Sequence, residues 1–157
     1  MKNLPKDLTL CDEWSLSIDL KLPSRSTKEW SKLFSLHNNG GTNPTTGSSI
    51  SAAWIRPDQS NVMLMIAYNI DNNLNYAYNV TTKLNVGNWL NLKISQLSGI
   101  YAIKVDYKLV YNKTNSFPKP WANVKLVTGN TNGNFLATSH YRNFEIDTCP
   151  KKGLIFV

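Results

Sequence analysis

Between residues 14 and 22 the chain alternates apolar and polar side chains without a break. Trp14, Leu16, Ile18, Leu20 and Leu22 fall on one side, and Ser15, Ser17, Asp19 and Lys21 on the other. A period of two belongs to a β-strand with one buried and one wet face, as in antiparallel sheets. The same alternation returns in residues 89–96, where Leu90, Leu92 and Ile94 oppose Asn91, Lys93 and Ser95. It returns over residues 100–111 and again over 141–147. Further strands are predicted over residues 30–36, 49–56, 61–70, 74–82 and 121–128. The 61–70 segment is apolar on both sides and so central. Turns are predicted at Asp71-Asn72-Asn73 and Ser98-Gly99, and loops at 37–47, 112–119 and 129–133. No stretch keeps a helical period for three turns. About nine short strands joined by Gly, Asn and Pro imply an all-β sandwich or barrel.

Composition narrows the class. A chain of 157 residues, 41% hydrophobic and 17% charged, is a globular chain rather than a disordered one. No repeat or boundary divides it. Residues 1–150 are expected to form one domain, with 151–157 a C-terminal extension or last strand. The net charge of +7 comes from fourteen Lys and three Arg scattered along the chain. Such scatter describes a solvated surface; its sharper reading is a weak attraction for polyanions such as sulfated glycans. No basic cluster is interleaved with stacking aromatics, so nucleic acid is not an expected partner. No apolar run approaches the ~20 residues that span a bilayer, so membrane insertion is not expected. Nothing after Met1 reads as a signal peptide. The chain is therefore expected to be cytosolic, or a mature or excised piece of a secreted protein. Cys11 and Cys149 lie near the two ends, and would pair in a sandwich whose first and last strands are neighbours. The sequons at Asn79 and Asn112 fit secretion as glycosylation sites, although an Asn-rich sequence also produces sequons by chance.

One segment resembles a known family. Leu84-Asn85-Val86-Gly87-Asn88-Trp89-Leu90-Asn91-Leu92-Lys93-Ile94-Ser95-Gln96 is followed by Gly99-Ile100-Tyr101 and Ile103-Lys104-Val105-Asp106. It is similar to the core motif of laminin G-like and related concanavalin A-like sandwiches. Gly87 would permit the tight turn into the strand that Trp89 opens. The 14–22 strand followed by Leu33-Phe34-Ser35-Leu36 resembles the start of the same family. The resemblance covers roughly residues 10–148. It implies an antiparallel two-sheet jelly roll, but says little of function, because the fold hosts lectins, adhesion modules, pentraxins and glucanases. Some laminin G-like relatives hold one calcium ion at the loop edge. The acids available for that here are Asp58 and Asp71, with Asn38, Asn39, Asn72 and Asn73 as helpers; all are equally ordinary turn residues.

Enzyme signatures are weak. Glu145-Ile146-Asp147-Thr148-Cys149-Pro150 resembles the E-x-D-x-x-E strand of retaining glucanases, but Pro150 stands where the acid/base carboxylate belongs. No nucleophile elbow is present, and His37 and His140 lack zinc-site spacing. The expectation is thus not an enzyme but a secreted recognition or adhesion module, binding glycan or an extracellular protein through its loop edge or concave face. The alternative is a self-associating matrix or filament module. The candidate ligand-binding residues are His37, Asn38, Asn39, Trp54 and Arg56, then Tyr68, Asn73 and Tyr76 of the central hairpin, then His140 and Tyr141.

Overall fold

The computed structural model describes residues 8–22, 30–38, 49–56, 63–71, 73–81, 84, 87–128 and 140–149. Among these, eleven strands form and no helix: β1 (Leu8–Leu10), β2 (Trp14–Lys21), β3 (Ser31–Asn38), β4 (Ser49–Arg56), β5 (Met63–Ile70), β6 (Asn73–Asn79), β7 (Trp89–Leu97), β8 (Ile100–Val105), β9 (Lys108–Thr114), β10 (Trp121–Thr128) and β11 (His140–Asp147). They make two antiparallel sheets. One has six strands in the order β1-β10-β3-β4-β5-β6, the other five in the order β11-β2-β7-β8-β9. This is a jelly-roll sandwich.

The alternation read from the sequence decides which face is inside. On β2, Trp14, Leu16, Ile18 and Leu20 are buried, while the intervening Ser15, Ser17, Asp19 and Lys21 are half-buried on the outside. Across the ladder, Leu16 lies opposite Ile94 and Ile18 opposite Leu92, so two strands contribute one continuous apolar layer. The six-stranded sheet answers with Phe34, Leu36, Ala53, Ile55, Leu64 and Ile66. Burying a Leu, Ile or Phe side chain contributes about 1.5–3 kcal/mol each.

Three strand assignments need correction. Residues 100–111 are not one strand but a hairpin, β8 and β9, turned at Asp106 and Tyr107. Both have positive φ, 48° and 66°, as a two-residue hairpin turn of the I′ kind requires. Asp106 is held there by Asn91, whose N–H donates to Asp106 Oδ1 at 2.9 Å. No Gly or Pro marks this turn, so the alternation reads straight through it. Residues 112–114, taken as loop, belong to β9. Residues 8–10 form an edge strand too short to show a period.

The two predicted punctuation points stand. Ser98 and Gly99 turn β7 into β8 with φ of 49° and 72°. Gly87 adopts φ 78°, where a side chain is strained, and its N–H donates to Leu22 O at 3.1 Å.

The sandwich is closed differently along its two long sides. On one side, β1 and β11 are the edges of opposite sheets. Cys11 and Cys149, just beyond them, are joined by a disulfide with Cα atoms 5.1 Å apart, and Cys11 N–H donates to Thr148 O at 2.8 Å. The first and last strands are thus neighbours across the sheets, not partners within one. On the other side, the edges β6 and β9 are bridged by tyrosines. Tyr78 stacks on Tyr111 at 4.4 Å and its hydroxyl donates to Val110 O at 3.0 Å. Tyr68 stacks on Tyr101, also at 4.4 Å, and shares a hydrogen bond with the Tyr111 hydroxyl.

Candidate functional site

β3 departs from the alternating rule. Every residue from Ser31 to His37 is buried, so its outward-facing side chains are covered as well as its inward ones. Those outward residues are polar: Lys32, Ser35 and His37. A bulge between Lys32 and Phe34 sets Lys32 opposite Trp54 of β4, and its ammonium lies 4.8 Å from the Trp54 ring centre. On the other flank, Lys125 of β10 is registered opposite His37. Arg56 lies two residues beyond Trp54 on the same face of β4 and is exposed. The face therefore grades from an enclosed centre at Ser35 and His37 to an open rim at Lys125 and Arg56.

Its electrostatics are one-sided. The six strands of this sheet contain no Asp and no Glu, while Lys32, Arg56 and Lys125 all belong to it. His37 is only 4% exposed. Burial first, then the charges of Lys32 and Lys125, hold its pKa below the ordinary 6.5. At neutral pH the ring is uncharged, with one nitrogen lone pair free to take a proton. Its Nε2 has no hydrogen-bond partner, and neither has Ser35 Oγ. Lys32 is also pushed down by burial, so its ammonium parts with a proton more readily than a surface lysine. A neutral imidazole base between two cations, beside an indole plate, is a site suited to an anionic ligand.

The candidates named from sequence do not all converge here. His37, Trp54 and Arg56 do; Asn38 is half-buried at the end of β3. Tyr68 and Tyr76 lie on the opposite, inner face. There Tyr68 is 1% exposed, and Tyr76 stacks on it at 5.7 Å beneath the Lys113 ammonium, 3.6 Å away. Asn73 is exposed at the start of β6. His140 and Tyr141 belong to the other sheet. Tyr141 donates its hydroxyl to Leu33 O at 2.9 Å, and burial pushes its pKa up to about 12. Asp71 has positive φ, 50°, in the turn before β6, and its Oδ1 accepts the Ser116 N–H at 2.6 Å. Asn39, Asn72 and Asp58 lie outside the described residues. Among the described residues no three His, Cys, Asp or Glu are grouped to hold a metal.

Lys32, Ser35 and Lys125 were not picked out from the sequence. Spread over two distant segments, they become neighbours only when β10 pairs with β3. The available signal was negative: those segments lack acids. It acquires meaning once one knows that they share a sheet.

No protein-family model matches the chain, and no curated protein matches it in sequence. Solved structures do match its fold. A family 7 polysaccharide lyase, the alginate lyase of the marine Zobellia galactanivorans, has a TM-score of 0.59 at 7% identity, covering 89% of this chain and 64% of its own. The alginate lyase of Klebsiella pneumoniae has a TM-score of 0.59 at 9% identity, covering 87% and 60%. A variant of human galectin-16 has a TM-score of 0.55 at 14% identity, covering 93% and 96%. The chain thus spans less than two thirds of those two lyases' length and nearly the whole of the galectin. Three further alginate lyases share the fold with TM-scores above 0.5. These neighbours overturn the expectation of a non-catalytic adhesion or assembly module that is not an enzyme. The sandwich is a jelly roll, a fold shared with polysaccharide lyases and a galectin.

Proposed function

We propose that this chain cleaves an acidic polysaccharide by β-elimination, using the outer face of the six-stranded sheet. The observation that carries the reading is His37, neutral and unpartnered at Nε2, between Lys32 and Lys125 on a sheet without acids. Glycoside hydrolysis calls for two carboxyl groups flanking the bond, and the strands of this face supply none. Elimination from a uronate calls for something else: a cation to neutralise the sugar carboxylate, and one base to take the C5 proton that this carboxylate then acidifies. Lys125 answers the first need and His37 the second. As the C5–H bond breaks, its electron pair forms the C4=C5 double bond and the C4–O bond opens. The departing oxygen takes a proton from the Lys32 ammonium. The His37 imidazolium and neutral Lys32 then exchange protons with water, which restores both. Trp54 offers a sugar ring a flat apolar surface.

The alginate lyases among the fold neighbours support this substrate class. The Cys11–Cys149 disulfide supports secretion into an oxidising compartment, and Asn79 and Asn112 are both exposed, as glycan acceptors must be. The motif of residues 84–106 and its Gly87 turn further support a laminin G-like lineage.

The test is incubation of the purified chain with polymannuronate, polyguluronate and polygalacturonate, following the ultraviolet absorbance of the unsaturated uronate. Absorbance should rise with at least one polymer, and His37→Ala should slow it by about 10²–10⁴-fold. The base must be neutral, so activity should persist below pH 6.5 and fall only as pH passes through the depressed histidine pKa. Lys125→Ala should mainly raise KM. A wild-type chain inert on all three polymers, with no new absorbance, rules the proposal out.

A further inference from the structure

Five of the seven tyrosines, Tyr68, Tyr76, Tyr78, Tyr101 and Tyr111, form one aromatic cluster between the sheets on the β6–β9 side. Two pairs in it are stacked with ring centroids 4.4 Å apart: Tyr68 with Tyr101, and Tyr78 with Tyr111. Access separates the pairs. Tyr68 and Tyr101 are each 1% exposed, and burial pushes the pKa of both phenols up, which opposes loss of a proton. Tyr78 and Tyr111 are half-buried on the edge strands of opposite sheets, so solvent reaches both residues. Their hydroxyls have other partners: Tyr78 donates to Val110 O at 3.0 Å, and Tyr111 shares a hydrogen bond with Tyr68. What the two residues share is ring face, at an interplanar angle of 27°.

Contact between ring faces is what oxidative coupling of phenols requires. Loss of one electron and one proton leaves a phenoxyl radical. Its unpaired electron is shared by the oxygen and the ortho and para ring carbons. In tyrosine Cβ occupies the para carbon, so two such radicals join at ortho carbons. The bond first forms face to face, with each joined carbon tetrahedral until its hydrogen leaves. Holding the rings together beforehand makes this step intramolecular, and so favours it over coupling between two molecules.

We propose that Tyr78 and Tyr111 are a modification site, joined as a dityrosine by a haem peroxidase acting with hydrogen peroxide. Each phenol gives up one electron and one proton, and the peroxide takes both pairs to become two waters. The two unpaired electrons form the carbon–carbon bond. The two ortho hydrogens then leave as protons while the ring oxygens take up protons, so both phenols are restored. β6 and β9 become covalently linked across the sheets. The Cys11–Cys149 disulfide already closes the opposite side, so both long sides of the sandwich are then locked. The site lies apart from the His37 face and needs no chemistry there.

The test treats the folded chain with a haem peroxidase and hydrogen peroxide, in a Tyr107→Phe background. Tyr107 is 81% exposed at the β8–β9 turn and would couple between molecules. The product should run as a monomer on a denaturing gel, show dityrosine fluorescence and lack two hydrogens by mass. Peptide mapping should place the bond between Tyr78 and Tyr111, and the melting temperature should rise. Tyr78→Phe keeps a ring in the stack but cannot form the radical, and should remove the product. The mapping uses the chain that keeps both tyrosines, so its result does not depend on how Tyr78→Phe folds. Absence of a monomeric dityrosine product overturns the inference. So does a bond mapped to any other pair, or a product that Tyr78→Phe still yields. Polymer cleavage is not the readout, so a failure of the lyase reading leaves this result standing, and the reverse.

Discussion

Asn115 shows how much one side chain does at a position with no period to announce it. It follows β9 in a segment read as loop, yet it is 7% exposed and takes part in three hydrogen bonds. Those bonds tie the turn before β6 to the end of β7, and so one sheet to the other. Asn115→Ala should lower stability by about 2–3 kcal/mol, because it strands two backbone donors and a glutamine oxygen. Urea denaturation measures this, and a loss under about 0.5 kcal/mol would mean that water replaces the latch. Asp19 is a second such centre. Asn91 donates to it at 2.9 Å and Asn143 at 2.7 Å, with Arg142 ion-paired at 3.4 Å. The hydrogen bond from Asn91 is the main reason its carboxyl stays below the ordinary range. His37 belongs at this scale too: nothing in its neighbours along the chain indicates that its ring is buried and neutral.

At the scale of elements, alternation is a strong guide and fails in two identifiable ways. It succeeds for β2, β7 and β8, where one face is core and the other solvent. Ile94 of β7 is fully buried and its neighbour Lys93 exposed. Ile94→Ala should therefore cost about 2–5 kcal/mol, while Lys93→Ala should stay within about 0.5 kcal/mol. Denaturation of both variants checks the assignment of faces, and similar costs would refute it. Alternation fails at Asp106-Tyr107, where a tight turn lacking Gly leaves the period unbroken. It fails again at β3, where Ser-Lys-Leu-Phe-Ser-Leu-His looks half wet but is buried on both sides. The second failure is the informative one, because buried polar atoms without a partner, such as Ser35 Oγ and His37 Nε2, are rare and call for an explanation.

At the scale of the molecule, two closures hold the sandwich: a disulfide along the β1–β11 side and the tyrosine stack along the β6–β9 side. The disulfide spans 138 residues of sequence. A Cys11→Ser, Cys149→Ser double variant should lose about 2–5 kcal/mol. Thermal melting with and without reductant measures this: reductant should lower the wild-type melting temperature toward that of the double variant and leave the variant unmoved. Equal melting of the two proteins would show that the tyrosine side alone suffices.

Most strand positions, the all-β class, the predicted Ser98-Gly99 turn and the special role of Gly87 were legible from the chain, because they depend on period and on backbone sterics that act over a few residues. The pairing of Cys11 with Cys149 was anticipated only on condition that the first and last strands meet. The residues of the candidate site were legible in part. His37, Trp54 and Arg56 stood out as residue types, but so did Tyr68 and Tyr76, and period alone does not tell which face of a doubly covered sheet is core. The partition of strands between sheets decided that. It brought β10 beside β3, and with it Lys125 beside His37; it put the tyrosines inside and left one sheet without an acid. Such facts depend on contacts between residues nearly ninety positions apart, whose cost in chain entropy is met only by the folded whole.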